Sequence, residues 1–254
     1  MRIVSLVPSW TETLIEAGAN VVGRTRFCIH PKDRVKAIEA IGGTKSFDIE
    51  KLRALKPDLI ILDREENTKE MAELAMSVAP TFVTHVESVT DLPRELARLS
   101  AHLNNEELNN FATRFERVLL KPILALHNDS FARFINPHPV QENFKSTKFV
   151  YCIWKDPWMA VGRKTFIASM LEQVGFEPNM MWPSGDEKYP KFEIETLAPD
   201  VLILLSSEPF PFAKLIVKEP AIFSQNQVAL VNGESFSWFG IRALRFLEAT
   251  KSGI

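Results

Sequence analysis

Residues 47–62 read FDIEKLRALKPDLIIL and residues 192–204 read FEIETLAPDVLIL. Both copies run Phe, acid, Ile, Glu, then leucine, Pro-Asp and a four-residue apolar stretch. A chain that writes one pattern twice at this distance folds into two versions of one unit, because a solenoid needs three or more short repeats. In the first copy Asp48 is placed to cap a helix whose Leu52 and Leu55 face inward. Pro57 stops that helix, and DLIIL supplies a buried strand. The second copy predicts the same from Glu193, Leu197, Pro199 and VLILL, three residues shorter, which is about one helical turn.

The pattern extends outward from both copies. RIVSLV predicts a strand ended by Pro8, and SWTETLIEAG a helix with Ser9 as N-cap, Glu12 three positions on and Gly18 as its stop. VVGRT (21–25) predicts a second strand. In the second half KFVYCIW (148–154) predicts a strand, and RKTFIASMLEQVGF (163–176) a helix closed by Gly175. Strand and helix alternating in each half give the fold class α/β, two Rossmann-like lobes with parallel sheets.

Between the copies, Leu108, Phe111, Phe115, Val118, Leu119, Ile123 and Leu126 fall at helical spacing. One further surface helix satisfies that spacing, but its place between the duplicated halves favours a single long connecting α-helix, bent near Pro122. The expected organisation is an N-terminal lobe over 1–103, a connecting helix over 104–128 and a C-terminal lobe over 129–254, with a ligand cleft between the lobes. Asn136-Pro137-His138-Pro139 is expected as an irregular return into the second lobe.

Bulk composition narrows the function. The formal net charge of -2 offers no field for nucleic acid, and the longest apolar runs fall far short of the roughly 18 residues that cross a bilayer. The opening MRIVSLVPSW lacks the basic start and apolar stretch of a secretory signal. As written the chain is expected in the cytoplasm, or in the periplasm where it is a processed or trimmed form. Cys28 and Cys152 are expected as free thiols, and a monomer is expected.

Ligands of open parallel sheets bind outside the carboxyl ends of strands. The loops there hold Trp10, Arg26, Phe27, Lys45 and Arg64 in the first half. In the second they hold Trp154, Trp158, Glu208, Phe210, Phe236 and Trp238. Four of the five tryptophans fall in such loops, a distribution that points to an aromatic-walled binding site. Each of these residues taken alone fits packing or a solvated surface as well.

No phosphate-loop, dinucleotide, nucleophile-elbow or zinc-protease motif occurs. None of the five histidines sits at paired metal spacing, and Cys28-x-His30 is short of a closed metal site, so neither a metal site nor an intrinsic cofactor is expected. Glu50 and Glu195 hold equivalent places early in the two repeat helices. Carboxylates favour helix N-termini on their own account, and two such acids equally suit arginines on a partner.

The stretches VPSWTETLIEAGANVVGRTRFC and IGGTKSFDIEKLRALKPDLIIL, with Val161-Gly162, Gly175-Phe176 and Pro199-Asp200 further on, resemble the solute-binding proteins with a helical backbone. These are the periplasmic-type receptors for cobalamin and ferric siderophores. The resemblance implies two α/β lobes joined by a rigid helix and a ligand delivered to an ABC-type importer. It also implies that Glu50 and Glu195 engage arginines of the permease, and that Phe27 stands where relatives contact cobalamin. Thr44-Lys45 stands where a tryptophan is expected, which weighs against cobalamin itself. The expected function is non-catalytic capture of a corrinoid or ferric chelate. Two alternatives stand beside it: a cytoplasmic sensor or carrier derived from such a receptor, and an enzyme using Cys28 as nucleophile.

Overall fold

The computed structural model describes residues 1–123, 135–137, 148–176, 179–183 and 187–252. The chain divides into two compact units, Met1–Lys121 with Trp238–Ile254, and Pro122–Ser237.

In the first unit, β-branched runs flanked by turn residues form five parallel strands. They are β1 (Ile3–Ser5), β2 (Val21–Thr25), β3 (Glu39–Gly42), β4 (Leu59–Asp63) and β5 (Thr81–Thr84), in the order β3-β2-β1-β4-β5. All five residues of β4 are buried, as a strand covered on both faces must be. The chain winds outward from β1 to β3 and then crosses back to β4, so the loops after β1 and β4 flank the point where strand order reverses.

Helix α1 (Pro8–Glu16) begins sooner than expected. Val7 rather than Ser9 is its N-cap, with no side-chain cap and Pro8 in the first turn, where a missing N–H costs nothing. Helix α2 (Ile49–Ala54) starts as read, the Asp48 carboxylate accepting from the N–H groups of Glu50 and Lys51. Helices α3 (Lys69–Met76), α4 (Leu92–Leu103) and α5 (Glu106–Leu120) follow. Asn104 turns the chain in the left-handed conformation between α4 and α5, and the Asn105 side chain caps α5 by accepting from Leu108 N–H.

Leu108, Phe111, Phe115 and Val118 of α5 are buried. The helix ends at Leu120 and does not bend through Pro122, because Lys121 precedes a proline and is extended. Positions 124–128 of the expected connecting helix, and His138-Pro139, lie outside the described residues. Helix α5 packs on α4 and on the C-terminal helix (Ile241–Lys251). Arg114 there donates to both Glu248 carboxylate oxygens at 2.9 and 2.7 Å. These contacts place Trp238–Ile254 with the first unit, whereas 129–254 was expected as one lobe.

The second unit carries the sheet β6-β10-β9-β7-β8. Strands β7 (Lys148–Trp154), β9 (Val201–Ser206) and β10 (Val228–Val231) are parallel. The edge strands β6 (Ile135–Pro137) and β8 (Met159–Ala160) run antiparallel to them. Helices α6 (Phe166–Gln173, capped by the Thr165 hydroxyl), α7 (Phe212–Lys218) and α8 (Gly233–Ser237) complete it. The repeat holds its topology but not its helix: where α2 stands in the first copy, the second has only a 3-10 turn, Ile194–Thr196, with no side-chain cap at Glu193. Three fewer residues leave no room for a full α-helical turn. Among the described residues no helix is long and apolar enough to cross a bilayer.

Candidate functional site

In the first unit, the carboxyl ends of the strands are locked by buried polar side chains that carry no motif. Asp63 closes β4 with no exposure. One of its oxygens accepts from Thr84 Oγ1 (2.6 Å) and Val86 N–H (3.2 Å), the other from Glu65 N–H (2.9 Å). Burial raises its carboxyl above the usual aspartate range, and those hydrogen bonds oppose the rise. Asn67 completes the lock, its amide donating to Leu6 and Thr44 carbonyls and its oxygen accepting from Asp63 N–H. One side chain thereby joins the loops that follow β1, β3 and β4.

On this frame sit several residues expected at the site. Arg26 lies over the Phe27 ring at 4.9 Å, and Phe27 is 48% exposed. Both rest against Gly43, where a Cβ would stand 3.2 Å from the Phe27 ring edge. Lys45 donates to the Glu66 carbonyl at 2.6 Å, joining the loops after β3 and β4. Burial raises the Glu66 carboxyl, with Lys45 acting against it. Arg64 is exposed and borders a cavity of about 360 Å³ also lined by Asn67, Lys69 and Val83. Trp238 meets His30 edge-on at 5.3 Å and lies under the Arg242 guanidinium at 5.3 Å.

Trp10 does not belong with these residues. It is fully buried, donates from its indole N–H to Thr84 Oγ1 at 2.8 Å, and packs edge-on against Phe239. Because α1 starts directly after β1, Trp10 lies in a helix facing the core and not in a loop. Cys28 is buried too, its sulfur 3.1 Å from both Thr11 Oγ1 and Thr25 Oγ1. Burial pushes its thiol pKa up, the reverse of what a nucleophile needs.

In the second unit, the end of β7 and the loop after β9 bring Trp154 and Phe210 together edge to face, ring centroids 5.5 Å apart, with Trp154 40% exposed. Glu208 stands in the same loop as Phe210, and its carboxylate accepts from the Ser237 hydroxyl at 3.0 Å. Lys155 pairs with Asp156 at 3.0 Å.

Two expected site residues of this unit pack inward instead. Trp158 stacks on Phe212 and meets Phe192 and Phe223. Phe236 is buried between Tyr151 and Phe176. Glu50 and Glu195, each in its own unit, are both exposed.

A family model described as "Periplasmic binding protein" matches residues 3–222. The Vitamin B12-binding protein of Pectobacterium carotovorum subsp. carotovorum is 28% identical over 120 residues, 46% of this chain and 43% of that protein. The Vitamin B12-binding protein of Vibrio vulnificus is 22% identical over 197 residues, 76% of this chain and 66% of that protein. The chain thus spans under half the length of the first curated relatives it matches. The crystal structure of the periplasmic vitamin B12 binding protein BtuF of Vibrio cholerae has a TM-score of 0.71 at 19% identity, covering 99% of this chain and 95% of that one. The periplasmic heme-binding protein BhuT in complex with two hemes has a TM-score of 0.71 at 16% identity, covering 99% and 95%. At such identities the likeness shows a shared fold.

Proposed function

This chain belongs to the periplasmic binding protein family, and on that premise we propose that it captures, without transforming it, a metal-bearing organic molecule: a corrinoid, a haem or a ferric chelate. The observation that carries the reading is the pairing of accessible rings with charge at the carboxyl ends of both sheets. Phe27 lies under Arg26 in one unit, and Trp154 lies against Phe210 in the other, with Lys155 next in sequence and paired with Asp156. Flat, delocalised ligands stack on such rings, while side-chain cations meet peripheral carboxylates. The relatives named for vitamin B12 and haem support the same ligand class.

Delivery to an ABC-type permease is the second half of the proposal, with Glu50 and Glu195 as docking acids. Glu50 pairs with Arg53, an i,i+3 partner at 2.8 Å on the solvated face. Exposed pairs of this kind are worth no more than about 1 kcal/mol and exchange readily for a partner's arginine.

Titration of the full chain with cobalamin, haemin and a ferric siderophore, read by tryptophan fluorescence, tests the binding half. One of the three quenches saturably at one equivalent and is recovered chemically unchanged. If none of them gives a saturable response, the reading fails.

A further inference from the structure

We propose that Glu65, His85 and Glu87 form a binding site for a divalent transition-metal ion of the zinc class, with coordination positions left open to water. Sequence spacing shows no hint of it, since the donors come from two loops. Parallel pairing of β4 with β5 sets Asp63 beside Thr84 and so brings residue 65 next to residues 85–87. His85 Nε2 lies 3.6 Å from a Glu65 carboxylate oxygen and 3.4 Å from one of Glu87. All three donor atoms lie within 4.8 Å of one another.

Those separations suit an ion held between the three side chains. Around a tetrahedral ion with bonds of about 2.1 Å, neighbouring donors stand about 3.4 Å apart. The two separations from His85 lie near that value, and the two glutamate oxygens lie within 4.8 Å of each other.

The main chain beneath the donors is held in advance. Asp63 accepts from the N–H groups of Glu65 and Val86, and Asp91 accepts from Glu87 N–H at 3.1 Å and Ser88 N–H at 3.0 Å. Two buried or half-buried carboxylates thus fix both loops, and a preorganised backbone is what a three-donor site requires. The donors themselves are 38%, 38% and 47% exposed, open enough for an ion to enter. One imidazole nitrogen with two carboxylates suits zinc, whereas calcium and magnesium take oxygen alone.

The test uses tag-free full chain stripped with chelator, titrated with Zn²⁺ against a chromophoric competitor, with Mg²⁺ and Ca²⁺ as parallel arms. One equivalent of Zn²⁺ binds, and neither Mg²⁺ nor Ca²⁺ competes. His85→Ala and Glu87→Gln each weaken Zn²⁺ by tenfold or more, a loss that even outer-shell partners can cause. His102→Ala, which alters a ring packed on Phe82 elsewhere in the unit, changes nothing. Glu87→Gln keeps the side-chain shape and decides the matter should His85→Ala disturb folding. No Zn²⁺ uptake by the parent chain, or uptake of equal affinity in Glu87→Gln, overturns the assignment. The outcome is separate from that of the fluorescence titration, because the ion is added there alone.

Discussion

Arg242 holds Glu12 through two parallel N–H···O bonds of 2.9 Å each, across 230 residues of sequence. The carboxylate is almost buried and the guanidinium three-quarters so. The same guanidinium covers the Trp238 ring. This pair fastens the C-terminal helix to α1, and α1 follows the central strand of the first sheet. Removing the arginine alone leaves a buried anion unmatched. Arg242→Ala is therefore expected to cost about 3 kcal/mol of stability, read as a lowered urea midpoint. Arg242→Ala with Glu12→Gln together should cost clearly less than the sum of the two. Strict additivity would falsify the coupling.

Gly240 governs the same junction by another route. Its φ is +71° and its ψ -143°, a conformation open almost only to glycine. An added Cβ would stand 2.1 Å from Thr13 Oγ1. That hydroxyl donates to the Ser9 carbonyl at 2.7 Å and accepts from Ile241 N–H at 3.0 Å, satisfying the first donor of the C-terminal helix. Gly240→Ala should lower stability by about 2 kcal/mol or more and expose the 241–251 helix to proteolysis. A variant as stable as the parent, with unchanged cleavage, would contradict the account.

Much of this fold was legible in the chain, and the parts that were not share a cause. Strands 21–25 and 148–154 emerge at their read boundaries because β-branched runs between turn residues are local signals. The Asp48 cap is equally local. Trp10, Trp158 and Phe236 stand in sequence where strand-end loops are expected, yet they pack inward: a ring's direction is set by the helix or cluster that receives it, which no window of sequence contains. Asp63 and Asn67 hold three loops at once and carry no motif at all. Phe27 and Trp154 have accessible rings because they stand at or just past the carboxyl ends of β2 and β7, a property of topology that strand order predicts, whereas Phe210 is partly buried against the core of its unit.

The tryptophans should divide in experiment as they do in space. Trp10→Phe removes the indole donor to Thr84 and shrinks a fully buried ring. It is expected to cost about 2 kcal/mol of stability while leaving ligand affinity unchanged. Trp154→Ala removes a ring already 40% exposed, so stability should move by less than about 1 kcal/mol. Ligand affinity should fall at least tenfold in the fluorescence titration. The reversed outcome would assign the binding face to Trp10.

Charge at Glu16 offers a test with a defined sign. Burial pushes its carboxyl up, but Arg245 and Arg34 outweigh that and hold it below 4.5. Arg245 donates to it at 2.6 Å, and Arg34 binds its other oxygen. A carboxyl lowered in the folded state stabilises above its unfolded pKa, and that contribution disappears as pH falls through the folded value. Both arginines are half-exposed, so solvent screening keeps the effect below about 1 kcal/mol. Glu16→Gln should therefore lower the urea midpoint at pH 7 and converge on the parent as the pH is taken well below 4.5. Added salt should narrow the gap at pH 7. A gap that stays constant from neutral to acid would mean that packing, not charge, holds the C-terminal helix at this point.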